Sequence, residues 1–153
     1  MIEIRNMREE DKDFILDLSS RLSDIEYMSW RDRQQMQMKQ REIVKEAIDS
    51  NTSTEEIFVA VDIHGTQMGF IHLTESRDYF TNEKQAYISL LAVSKEGEGK
   101  GIAKRLMAQA EDWAKNKGYK QLTLNVFSSN ERAVGFYENL SFHNEVQKMV
   151  KEL

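Results

Sequence analysis

Leu90-Leu91-Ala92-Val93-Ser94-Lys95-Glu96-Gly97-Glu98-Gly99-Lys100-Gly101-Ile102-Ala103-Lys104-Arg105-Leu106 reads as a strand, a glycine-rich turn and the opening of a helix. The strand is an apolar run from Ile88 to Val93, interrupted by Ser89. The helix carries Ile102, Ala103, Leu106, Met107, Ala110, Trp113 and Ala114 on one stripe of period 3.6. Between them, Gly97, Gly99 and Gly101 place no Cβ in the way of a ligand. The free N–H groups of a helix start, helped by the helix dipole, favour an anion, most often a phosphate. Two familiar phosphate loops are excluded. G-x-G-x-x-G fails because Ile102 or Lys104 stands where the last glycine belongs, and no Gly-Lys pair is followed by Ser or Thr. A plain tight strand-to-helix turn would need the same glycines, so the turn alone names no ligand.

A second stretch adds to it: Asn130-Glu131-Arg132-Ala133-Val134-Gly135-Phe136-Tyr137-Glu138-Asn139-Leu140-Ser141-Phe142, downstream of another strand. Together the two stretches resemble the GNAT superfamily of N-acetyltransferases. Its acetyl-CoA signature, Gln/Arg-x-x-Gly-x-Gly/Ala, is matched by Glu98-Gly99-Lys100-Gly101-Ile102-Ala103. Its C-terminal motif, Asn-x-x-Ala-x-x-Phe-Tyr-x-x-x-Gly-Phe, is matched at Asn130, Ala133, Phe136, Tyr137 and Phe142. The resemblance runs from about Ile57 to the end, with a weaker echo at Ile2–Arg5. Two positions depart from it: Glu98 replaces Gln or Arg, and Ser141 replaces Gly.

The resemblance implies acetyl-CoA as cosubstrate and a three-layer α/β/α sandwich. Its sheet is mixed, largely antiparallel and splayed at a central parallel pair. It assigns the diphosphate to the main chain of Glu98, Gly99, Lys100, Gly101, Ile102, Ala103 and Lys104. It assigns the pantetheine arm to Leu91, Ala92 and Val93, facing a strand over Leu122–Phe127, with Asn130 hydrogen-bonding the arm. Ala133 and Phe136 would pack on the cofactor, although helix core accounts for them nearly as well. A glutamate at position 98 is tolerable if it contributes its amide and its carboxylate turns away from phosphate.

Acetyl transfer to an amine needs an acid for the departing thiolate. Tyr137, following Phe136, matches the family's acid, and a phenol of pKa about 10 lies close to an alkyl thiol. The competing reading is a buried tyrosine with a satisfied hydroxyl. No base is assigned. Some family members carry Glu where this chain has Ser89, which needs a base of its own at neutral pH. Glu75 or Glu83 through water and His72 by its pKa are alternatives, although a lone strand histidine is more often structural. Arrival of the amine already neutral is a further alternative. The acceptor pocket is expected between Asp24–Ser50 and Ser76–Lys84, with Tyr27 and Trp30 as substrate contacts beside Ser89. Tyr79 and Phe80 are further wall candidates, and ordinary packing explains all four aromatics too.

With 153 residues the chain is sized for one domain spanning 1–153. Absence of cysteine excludes disulfides, thiolate metal sites and a cysteine nucleophile, and no His/carboxylate cluster has ligand spacing, so no metal is expected. No signal segment or membrane-spanning run appears, which points to the cytoplasm. A net charge of −5 without a basic run argues against nucleic acid and gives a weak preference for a cationic acceptor.

The expected elements are a strand at Ile2–Arg5, helices over Glu9–Leu22 and Arg31–Ser50, and strands over Ile57–Asp62, Gln67–Glu75 and Gln85–Val93. A helix over Lys100–Lys117, a strand over Leu122–Phe127, a helix over Asn130–Asn139 and a last strand over Glu145–Lys151 complete the chain. An exposed edge or that last strand could join two copies as a homodimer. The expected function is an N-acetyltransferase for a small-molecule or peptide amine; the alternative is an acetyl-CoA-binding regulatory module with little catalysis.

Overall fold

The computed structural model describes residues 1–153. Strands β1 (Glu3–Asn6), β2 (Glu56–Val61), β3 (Gln67–Arg77), β4 (Lys84–Val93) and β5 (Leu122–Leu124) form one sheet in sequence order. The first four pair antiparallel and β4 pairs parallel with β5. This is the mixed, largely antiparallel α/β sheet expected from the motifs.

Helices cover both faces. On one, α1 (Lys12–Asp17) and α2 (Arg33–Asp49) bury Ile15, Val44, Ala47 and Ile48 against Ile57, Val59, Val61, Phe70, Leu90 and Ala92. On the other, α3 (Ile102–Asn116) buries the predicted stripe of Ile102, Leu106, Met107, Ala110, Trp113 and Ala114. It packs on Phe58, Ala60, Met68, Ile71, Leu73, Ala86 and Ile88. Residues α4 (Glu131–Asn139) contributes to this second cluster are Phe136 and Tyr137, each partly buried.

A buried ion pair ties the N-terminal strand to the first helical segment. Asp11 is fully buried, and Arg5 donates to both of its carboxylate oxygens at 2.7 and 3.1 Å. The Arg8 amide (2.7 Å) and Gln67 Nε2 (3.1 Å) complete its partners, so the charge is fully hydrogen-bonded. Burial pushes this carboxyl up, and Arg5 with the amide donors more than reverses it, holding the pKa below the usual range.

Three expectations are corrected. The helix expected over Glu9–Leu22 is divided: three-residue and six-residue 3₁₀ turns, Glu9–Asp11 and Leu18–Ser23, flank a short α1. Ser19, Ser20 and Ser23 are weak helix formers and disfavour a continuous α-helix there. Strand β5 stops at Leu124, short of Phe127. The strand expected over Glu145–Lys151 is absent: residues 143–153 form no regular element, and Val146 and Met149 are 75% and 89% exposed. Its apolar residues stand at 146, 149 and 150, a spacing that offers a strand no single apolar face. A dimer through that strand loses its basis.

Helix α4 ends in a Schellman turn. The Phe142 amide donates to Tyr137 O at 3.1 Å and the Ser141 amide to Glu138 O at 3.0 Å. This closure puts Ser141 at φ +70°, the left-handed region, where the family pattern has glycine. That conformation costs a side-chain-bearing residue about 1–2 kcal/mol, while glycine would add about 0.4–1 kcal/mol of unfolded-state entropy. Ser141→Gly is therefore expected to stabilise the chain by about 0.5–1 kcal/mol, a rise of a few degrees in Tm by calorimetry.

Candidate active site

The site is built where β4 leaves β5. Their ladder pairs Ala86, Tyr87 and Ile88 with Leu122, Thr123 and Leu124, and then ends. On the other side of β4 the register shifts: Leu73 pairs with Ile88 but His72 with Leu90, so Ser89 is an extra, bulged residue. Before the bulge Ala86 and Ile88 face α3; beyond it Leu91 and Val93 do, while Leu90 and Ala92 face α2. From Leu90 to Val93 the edge toward β5 has no strand partner, leaving backbone donors and acceptors for a ligand.

Beyond Val93 the chain makes a 3₁₀ turn, Lys95–Gly97, capped by Ser94 Oγ accepting from the Gly97 amide at 3.1 Å. Gly97 is packed closely: a Cβ there would stand 2.7 Å from Met68 O and 2.9 Å from Val93 Cγ1. Gly99 and Gly101 both take φ near +74°, and Gly101 caps α3 without a side-chain hydrogen bond. Because the first helical bond joins the Arg105 amide to Gly101 O, the amides of Ile102, Ala103 and Lys104 open onto the turn. The Glu98 carboxylate is held away from them by Arg21, which donates to Oε1 from the Leu18–Ser23 turn. Arg21 chiefly, with Arg132 and Lys95 adding attraction, holds the Glu98 pKa below the usual range. The departure from Gln or Arg thus becomes a brace between the turn and the α1 side.

Asn130 caps α4 by accepting from the Ala133 amide at 3.3 Å. Tyr137 is held edge-on between Phe136 and Phe142, ring centroids 5.3 and 5.8 Å away. The Phe142 contact comes directly from the Schellman turn, which brings residues 137 and 142 together. Burial raises the Tyr137 pKa above 10, so the phenol keeps its proton at neutral pH.

Residues 19–142, most of the chain, match the Acetyltransferase (GNAT) family. The chain belongs to that family. A curated relative, N-alpha-acetyltransferase 30 of Schizosaccharomyces pombe, is 41% identical over 58 residues, which is 38% of this chain and 39% of that protein. Among solved structures, a Pyrococcus furiosus protein assigned to the acetyl transferases superposes with TM-score 0.79 at 24% identity, covering 100% of both chains. The aminoglycoside N-acetyltransferase AAC(6')-Iy in complex with CoA superposes with TM-score 0.71 at 17% identity, covering 100% of this chain and 95% of that one. These superpositions support the GNAT fold.

The structure packs Leu91 and Val93 on one cluster with Phe136 and Tyr137, and Arg132 on α4 is near enough to the turn to act on the Glu98 charge; Asn130 and Ala133 lie at the start of α4. The remaining candidates lie on other segments. Tyr27 and Trp30 lie on the irregular segment between Ser23 and α2. That segment reaches the β5–α4 connection, where Ser129 Oγ donates to Glu26 O at 3.0 Å. Tyr27 is itself engaged, donating to Ser23 O at 2.6 Å with Arg33 stacked 4.2 Å over its ring. Tyr79, 92% exposed, and Phe80 pack on each other at the β3–β4 hairpin, away from any wall. Glu75 accepts from Tyr119 Oη at 2.8 Å, on the α3 side of the sheet. Burial first, then Glu75, drives the Tyr119 pKa to about 12.

One grouping was not legible in the sequence. His72 pairs across the ladders with Ile57 and Leu90, both in the α2-side core, so its ring lies on that face. There Nδ1 meets Ser89 Oγ and Nε2 meets Glu55 Oε1 at 3.1 Å. Ser50 and Thr52, after α2, donate to the other Glu55 oxygen. Glu55 was missed because it stands 17 residues from His72, in a loop with no motif.

Two measurements test this geometry. In Gly97→Ala the added methyl must displace Met68 O, so calorimetry is expected to show about 1–3 kcal/mol lost and weakened acetyl-CoA binding. Burial holds the His72 pKa below 6.5 despite Glu55 pulling it up, so the unfolded chain protonates first. Stability from this site is full above pH 6.5 and falls as pH drops toward the folded midpoint. Denaturation midpoints should fall as the pH drops below 6.5, with the slope reduced in His72→Gln.

Proposed function

We propose that the protein transfers the acetyl group of acetyl-CoA directly to a primary amine of a small molecule or peptide. The observation that carries this reading is the unpaired edge Leu90–Val93 running straight into the open amides of the α3 turn. One continuous run of main-chain groups can thereby pair with pantetheine amides and then take the diphosphate. Leu91, Ala92 and Val93 serve the arm; Glu98, Gly99, Lys100, Gly101, Ile102, Ala103 and Lys104 serve the phosphates. Lys100, Lys104 and Arg105 concentrate positive charge there, on a chain of net charge −5. Asn130 uses its Oδ1 as the α4 cap and keeps its amide NH₂ for the arm, with Ala133 and Phe136 walling it.

Chemistry follows the position of the thioester between β4 and α4. The amine lone pair attacks the acetyl carbonyl, the C–S bond breaks with its electron pair on sulfur, and Tyr137 Oη delivers a proton to that thiolate. Burial keeps the phenol in the protonated form that an acid requires. The acceptor enters over the Asp24–Asp32 segment, where Tyr27, Trp30 and exposed Asp24 and Glu26 suit a cationic group. Both the N-alpha-acetyltransferase and the aminoglycoside N-acetyltransferase among the similar proteins fit an amine acceptor.

Acetyl-CoA titration by calorimetry, followed by mass spectrometry of spermidine, sisomicin and N-terminal peptides with the enzyme, tests the reading. Saturable binding and a mass gain of one acetyl group are expected; absence of acetyl-CoA binding by folded protein refutes it. In Tyr137→Phe, kcat should fall about 10²-fold with acetyl-CoA affinity changed less than about twofold.

A further inference from the structure

We propose that Ser89, His72 and Glu55 form a proton relay that carries the acceptor amine's proton from β4 to the solvent beside the end of α2. The relay rests on the acetyl-transfer reading and supplies the base that reading lacks. Ser89 stands at the parting of β4 and β5, the bulged residue beside the stretch assigned to the thioester arm. A serine alone cannot take a proton at neutral pH. This one is hydrogen-bonded to an imidazole, and the imidazole to a carboxylate.

The partners fix the direction of transfer. Glu55, ionised, only accepts, so His72 Nε2 carries the hydrogen and Nδ1 is the acceptor facing Ser89 Oγ. Glu55 is kept ionised: burial pushes its pKa up, but Ser50, Thr52 and His72 together hold it below the usual range. Glu55 is the charge acting on the ring. From β2 the facing residue is Ile57, and from β4 Leu90 and Ser89, with the phenol of Tyr87 on the same face one ladder position from Ile88. At its far end Glu55 opens into a shallow cleft of about 200 Å³ lined with Ser50, Asn51, Thr52 and Glu56. His72, 5% exposed, therefore connects a half-buried hydroxyl on one side to water on the other.

In the step itself, the amine nitrogen becomes acidic as its lone pair forms the bond to the acetyl carbon. An N–H proton passes to Ser89 Oγ while the Ser89 hydroxyl proton passes to His72 Nδ1, and the N–H electron pair remains on nitrogen. The imidazolium so formed is paired with Glu55 and returns to neutrality by releasing its Nε2 proton through that carboxylate to water; after the amide product leaves, exchange of the remaining ring proton with water restores the Nε2–H tautomer. The thiolate takes its separate proton from Tyr137, whose phenolate regains one from water. No oxidant, reductant or further reactant is needed.

The test has two arms. Ring ¹⁵N NMR of the unliganded wild type is expected to show neutral His72 as the Nε2–H tautomer, with its titration midpoint lowered further in Glu55→Gln, since the supporting anion is gone. An Nδ1–H tautomer, or a midpoint indifferent to Glu55→Gln, overturns the relay. In the kinetic arm, acetyl-CoA and the fastest of spermidine, sisomicin and an N-terminal peptide are followed from pH 5.5 to 9. His72→Gln is expected to lower kcat at least about tenfold at pH 7, with acetyl-CoA affinity within about twofold and the deficit shrinking at high pH. Glu55→Gln should move the acidic limb of kcat to lower pH. Ser89→Ala, which leaves the buried imidazole in place, reports the same loss should His72→Gln not fold. Turnover by both Ser89→Ala and His72→Gln within twofold of wild type, with an unmoved acidic limb in Glu55→Gln, refutes the relay and leaves the acetyl-transfer reading standing. Folded wild type that binds no acetyl-CoA brings down both.

Discussion

A strand in the middle of a sheet ordinarily satisfies its backbone on both sides, and β4 does so only as far as Ile88. From there to Val93 its backbone toward β5 lacks a strand partner. Buried backbone groups without partners are costly, so such an edge persists where something outside the fold can complete it. The arrangement of the site descends from this one break in pairing. The glycine turn continues the unpaired edge, α4 stands across the gap, and the bulge at Ser89 sets which side chains face which layer.

The bulge governs more than a local kink. With strict alternation continued from Ile88, Leu90 and Ala92 would face α3, and Leu91 and Val93 would face α2. The observed cores have them the other way. Inserting Ser89 reverses the phase of everything downstream, including the residue that enters the turn. In the sequence the run Ile88–Val93 is apolar on both faces, so its phase was invisible. The glycine turn, by contrast, was legible because its spacing follows from backbone needs: positive φ at Gly99 and Gly101, and close approach at Gly97.

What the sequence left open has one physical origin. Glu98 and Arg21 are 77 positions apart, and Ser89 and His72 are 17 apart on neighbouring strands. Neither pair has a periodicity to announce it; each is made by register and by the packing of the Leu18–Ser23 turn beside β4. Taken singly, Glu98 looked like a flaw in a phosphate turn, and Ser89 like a base position without a base. Each is resolved by a partner the topology supplies. The lost C-terminal strand is the converse case, where apolar residues in a tail suggested an element but their spacing gave no single face to bury.

The sheet itself separates the two protons of the proposed reaction. Tyr137 packs with the α3-side cluster, whereas His72 belongs to the α2 side. The phenol, raised above 10 by burial, does not yield its proton to an imidazole held below 6.5, so each group keeps its own role on its own face. Five strands of hydrogen-bonded backbone stand between these two layers, and the parting of β4 from β5 is where a ligand can reach both. A thioester threaded through that parting would present sulfur toward the phenol and its carbonyl toward Ser89. On this view the break in strand pairing holds the cosubstrate and also keeps the acid and the base apart until a substrate joins them.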